Sequence, residues 1–146
     1  MADKEASLDA TDHEILRILS LDGRISMKEL GVKVHLTGQA VKNRVERLES
    51  LGFIRHYTFS MNCPMYGYKI HALLHADVKF GGREEFIRLI RKSGYPVIHC
   101  YKITGTGAYI ADMYFHSFEE LQYFTEQLEK FAVCRVETVL EEININ

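Results

Sequence analysis

The sequence predicts an α+β chain of two domains. Up to about residue 56 the apolar residues recur at the three- and four-residue spacing of helices, and beyond it β-rich runs alternate with helical ones. Glycine turns punctuate both halves, at Asp22-Gly23, Leu51-Gly52, Gly81-Gly82 and Gly105-Thr106-Gly107. The expected division is a helical domain over 1–56, a linker strand over 57–68, and a mixed domain over 69–146.

The first helix is expected from Thr11 to Ser20, capped by Asp9 or Thr11, with Ile15, Leu16, Ile18 and Leu19 as its apolar face. Asp22-Gly23 ends it as a turn. Ser26 caps a short second helix from Met27 to Val34, and Glu29, three residues on, completes a capping box. A break at His35-Leu36 precedes a third helix, capped by Thr37 and reaching Ser50, in which Val41, Val45 and Leu48 share one buried face. Gly52 is the expected C-cap. Phe53 to Met61 is expected to be extended, as a hairpin wing leading into the linker strand. Three short helices with a tight break before the third have the dimensions of a winged helix-turn-helix.

In the second half, strands are expected over Lys69–Val78, Pro96–Thr104, Tyr109–Phe115 and Val133–Leu140. Helices are expected over Arg83–Ser93 and from Ser117 to Lys130, the latter turning Phe118, Leu121, Phe124 and Leu128 to the core. The order β-α-β-β-α-β is the ferredoxin-like arrangement, an antiparallel sheet with two helices on one face. The other face needs a cover, and a second copy of the domain is the simplest one.

The 146 residues are 47% hydrophobic and 26% charged, ordinary for a soluble globular protein. No apolar run approaches the ~20 residues of a membrane span. The first residues are polar and acidic rather than signal-like, so a cytoplasmic location is expected. Cys63, Cys100 and Cys134 are widely spaced, as free thiols in a reducing compartment would be. The net charge of −2 conceals a pattern: residues 24–55 hold seven basic and three acidic residues, a local +4 between acidic flanks. Such a patch is the electrostatic footprint of a polyanionic partner.

With Val41, Val45 and Leu48 turned inward, Gln39, Lys42, Asn43 and Glu46 share the opposite face of the third helix. Gln and Asn pair bidentately with adenine, and Lys reaches guanine. Thr37 caps that helix and can meet a phosphate there. Arg24, Lys28, Lys33, Arg47 and Arg55 flank it as phosphate partners, while Arg44, nearer the core side, is expected to pair with an acid of the first helix. His71 and His75, four apart in a strand, lie ~13 Å apart, and no zinc-ligand spacing joins them. No nucleophile elbow is present, and no Lys-Ser/Thr follows the 105–107 turn, so neither catalysis, metal nor cofactor is expected.

These residues resemble the Lrp/AsnC, or feast/famine, regulators of bacteria and archaea over almost the whole chain. The resemblance runs through Leu8-Asp9-Ala10-Thr11-Asp12, Asp22-Gly23-Arg24, Glu29-Leu30-Gly31, Arg44-Val45, Arg47-Leu48-Glu49 and Gly52. It continues through Val97, Cys100-Tyr101 and Ile103-Thr104-Gly105. It implies a transcription regulator bound to double-stranded DNA, a homodimer through the C-terminal sheets, and assembly to tetramers or octamers. It also implies a small-molecule effector pocket between dimers, here lined by Thr104, Gly105, Thr106, Gly107, Ala108, Tyr109 and Thr138. The family often carries Gly-Asp-x-Asp at that turn, whereas this chain has Gly105-Thr106-Gly107-Ala108. An ammonium group would lack its carboxylate, so weak or no binding of ordinary amino acids is expected unless another strand, for example through Glu137, supplies one. An alternative is an enzyme: siroheme decarboxylases resemble the same two-domain fold, and His71, His99 and Tyr101 would then be ligands or acids. The basic third-helix region argues against it.

Overall fold

A computed structural model describes residues 7–143 and divides the chain into two compact units, meeting between Ser60 and Met61. The first unit holds α1 (Ala10–Leu21), α2 (Met27–Lys33) and α3 (Gly38–Ser50). Each starts where the sequence supplies a cap. Asp9 and Asp12 form a reciprocal capping box on α1, Ser26 and Glu29 form one on α2, and Thr37 accepts the Ala40 amide on α3. The core between them is Ile15, Ile18, Ile25, Leu30, Val41, Val45 and Leu48.

The break between α2 and α3 is tight. His35 adopts a left-handed φ of 57°, and the Leu36 amide donates to the Gly31 carbonyl at 2.9 Å. A Cβ on Gly31 would lie 2.6 Å from the Leu36 carbonyl oxygen, so the close approach of chain to helix demands glycine there.

The expected wing and linker strand are not strands: residues 53–62 carry no ladder. An extended segment becomes a strand only when a neighbour's backbone completes its hydrogen bonds, and none does so among the described residues. The second unit opens instead with a short 3-10 turn at Cys63–Tyr66.

The rest of that unit is β1 (Ile70–Val78), α4 (Arg83–Lys92), β2 (Val97–Lys102), β3 (Ala108–Phe115), α5 (Phe118–Glu129) and β4 (Ala132–Thr138). The sheet order is β2-β3-β1-β4, antiparallel throughout, as the ferredoxin-like arrangement requires. Strand alternation sends Ala72, Leu74, Ala76 and Val78, with Tyr109, Ala111, Met113 and Phe115, toward the helices. There they meet Phe86 and Ile90 of α4 and Leu121, Phe124 and Leu128 of α5. Phe118, expected in that stripe, is the first residue of α5 and is 61% exposed.

Candidate nucleic-acid interface and effector turn

The reading face of α3 is assembled as its periodicity dictates. Val41, Val45 and Leu48 are buried, and Gln39, Lys42, Asn43 and Glu46 are exposed. The Gln39 side-chain amide donates to Asn43 Oδ1 at 2.9 Å, and Lys42 Nζ lies 3.8 Å from Glu46 Oε1. The pairing of Gln39 and Asn43 aligns two planar amides along one edge while leaving the Asn43 donors and the Gln39 oxygen for other partners. Thr37, Arg24, Lys28 and Arg55 are exposed. None of these three basic residues forms a salt bridge among the described residues.

Arg44 pairs with the first helix as expected: its Nη1 lies 2.7 Å from both Asp9 Oδ2 and Asp12 Oδ1. Arg47 was expected only as a phosphate partner, yet its Nη1 also reaches Asp12 Oδ2, at 3.2 Å. The sequence signal was the one-turn spacing of Arg44 and Arg47 opposite two acids one turn apart. The backbone amide of Asp12, then the Arg44 guanidinium, hold the Asp9 carboxyl below its ordinary range. The same two carboxylates raise Arg44. On the far side of α3, the Tyr57 hydroxyl donates to Glu49 at 2.8 Å; partial burial, then that carboxylate, pushes its pKa up to about 12.

In the second unit, the 104–107 turn is exposed apart from half-buried Gly107. Gly107 sits at φ 72°, and its carbonyl accepts the Val78 amide at 2.8 Å. A Cβ there would lie 2.2 Å from the Val78 oxygen, so this glycine is imposed by the end of β1. Two further residues expected at the effector site lie off this turn within one chain. Tyr109 is buried, its ring 4.6 Å from that of Phe86, because strand alternation points it at α4. Thr138 pairs with Ala72, five residues along β1 from the Asp77–Ala108 pair, so it lies about 17 Å from the turn within one chain.

The residue that sequence reasoning missed is Asp77. It is exposed and directly opposite Ala108 in the β1–β3 register. Opposed residues of an antiparallel pair hold their Cβ atoms ~5 Å apart. A carboxylate thus stands one strand across from the turn. Glu137 lies opposite Leu73, further from the turn.

The sheet face without helices carries His71, whose Nε2 is 2.6 Å from Asp112 Oδ1 and whose ring stacks on Tyr114 at 4.1 Å. His75 Nε2 lies 3.3 Å from Glu137 Oε2. His99 stacks on Tyr101, and Val133 is 66% exposed.

The AsnC-type helix-turn-helix domain family matches residues 8–49. The transcriptional regulator LrpA of Bacillus subtilis is 35% identical over 133 residues, covering 91% of this chain and 98% of that protein. LrpC of the same organism is 32% identical, covering 94% of each. The solved structure of LrpC superposes with a TM-score of 0.87 at 30% identity, covering 96% of this chain and 99% of that one. A transcriptional regulator of Neisseria meningitidis, solved as a complex with L-methionine, superposes at 0.84 and 25% identity, covering 94% and 93%. The curated relatives are regulators and not enzymes, and the enzyme alternative falls with that finding.

Proposed function

This chain belongs to the Lrp/AsnC family of DNA-binding transcription regulators, and from that premise we propose that Gln39, Lys42 and Asn43 read base edges in the major groove. The observation that carries this reading is their shared exposure on α3, opposite the buried Val41-Val45-Leu48 face. Arg24, Lys28, Arg47 and Arg55 contact backbone phosphates, and Thr37 presents the α3 N-terminus to one. The protein works in the cytoplasm as a homodimer that assembles further to a tetramer or octamer. The helix-free sheet face, with exposed Tyr101 and Val133, supports this as the surface a second copy covers. Pairing would supply two recognition helices for two half-sites.

The effector is an amino acid or a close analogue, held at the 104–107 turn. Its carboxylate takes turn amides, and Asp77 takes its ammonium. The L-methionine complex of the Neisseria regulator supports the ligand class.

Binding to duplex DNA tests the reading. Lys28→Ala and Arg47→Ala should each weaken all sequences alike and reduce the salt slope by about 1. Asn43→Ala should leave the slope unchanged and cost about 1–3 kcal/mol of discrimination for a selected site. Affinity insensitive to salt would overturn it.

A further inference from the structure

Among the described residues Asp12 is the one buried charged residue, at 1% exposure. Its carboxylate closes the capping box by accepting the Asp9 amide at 3.3 Å, and it holds two guanidiniums of α3, one turn apart. The two arginines are held differently. Arg44 shares one nitrogen between two carboxylates at 2.7 Å each, and 32% of its side chain is exposed. Arg47 makes one longer contact through Nη1 and keeps 48% of its side chain exposed. A guanidinium carries five N–H donors in a rigid fork, so Arg47 is anchored at one nitrogen and open at the others. The recess around this contact is lined by Asp9, Asp12, Arg44 and Arg47 together with Asn43 of the reading face. The anchored arginine therefore borders the surface that meets the bases.

We propose that Asp12 is a positioning residue for DNA recognition: from α1 it fixes the Arg47 guanidinium so that its open edge meets a backbone phosphate beside α3. This rests on the reading of Arg47 as a phosphate contact. An unanchored arginine must lose its rotamer freedom when it binds, whereas one already held on a buried carboxylate loses less. Neutralising Asp12 leaves the charge of Arg47 in place and takes away the charge-assisted anchor that orients it.

The test uses the full-length chain and mixed-sequence duplex DNA of three helical turns. Asp12→Asn should weaken binding by about three- to tenfold, from the restored side-chain freedom. In an Arg47→Ala background the same change should have no further effect on affinity, although it lowers the melting temperature in both. Arg47→Lys leaves Asp12 intact and keeps the charge without the fork, so it should bind as weakly as Asp12→Asn while retaining the wild-type salt slope. This variant answers the question if Asp12→Asn fails to fold. An unchanged slope in Arg47→Ala overturns the phosphate reading itself. A reduced slope there, with Asp12→Asn equally damaging in both backgrounds or Arg47→Lys binding like wild type, overturns the positioning role alone.

Discussion

Replacing Gly31 by Ala sets two opposed effects against each other at the turn that aims α3. Alanine in the body of a helix gains about 1 kcal/mol over glycine. Against this, the new Cβ would lie 2.6 Å from the Leu36 oxygen, and 3.2 Å from both the Gly38 nitrogen and the Thr37 carbonyl carbon. All three are backbone atoms and no side-chain rotation clears them, so the α2–α3 connection must open. Overpacking of this kind costs about 1–3 kcal/mol, and rigid backbone neighbours place this site at the upper end, for a net loss of about 1–2 kcal/mol. For a unit of this size that lowers the melting temperature by about 4–15 °C. The displaced α3 should weaken DNA binding as well. Calorimetry of the full chain measures the first effect, with two glycines as controls. A Cβ on Gly23 meets nothing closer than the Leu19 oxygen at 3.7 Å, so Gly23→Ala should melt at or above wild type. Gly52 has open space but φ 79°, so Gly52→Ala should lose about 1–2 kcal/mol from strain alone. Gly31→Ala melting at or above wild type would refute the steric argument.

On the effector reading proposed above, the full-length protein binds L-methionine in calorimetry and Asp77→Asn abolishes that binding, since the amide cannot balance the ammonium charge; binding equal to wild type would remove Asp77 from the site, and none by wild type would remove the effector reading. Tyr57 has a pKa raised by folding from 10.0 to about 12, so its contribution is complete below pH 10 and is lost as pH rises through about 12. Tyr57→Phe should therefore flatten the fall in stability across that alkaline window, as followed by chemical denaturation at stepped pH.

Legibility followed the range of the interactions. The caps at Asp9, Ser26 and Thr37, the buried i, i+4, i+7 face of α3 and the Arg44 pairing could be read because each depends on residues a few places apart or on one helical face. The sheet order and its two helices followed from element sequence. The wing did not, since periodicity marks an extended segment without revealing whether a backbone neighbour exists to pair with it. The inward turn of Tyr109 and the distance of Thr138 from the turn within one chain were not legible, because strand alternation and register, not proximity in sequence, decide which side chains meet.

The sequence by itself determined the two-part α+β architecture, the basic third-helix region and the family, because helix periodicity, capping and turn chemistry are local. Tertiary structure decided two things that no local pattern carries. It joined Arg47 to Asp12 across 35 residues, turning a surface cation into an anchored one. It also set Asp77 opposite Ala108, placing a carboxylate beside a turn that carries none. Both follow from packing two elements in one register, where a carboxylate's partner is whatever the fold brings within a few ångströms, however distant along the chain.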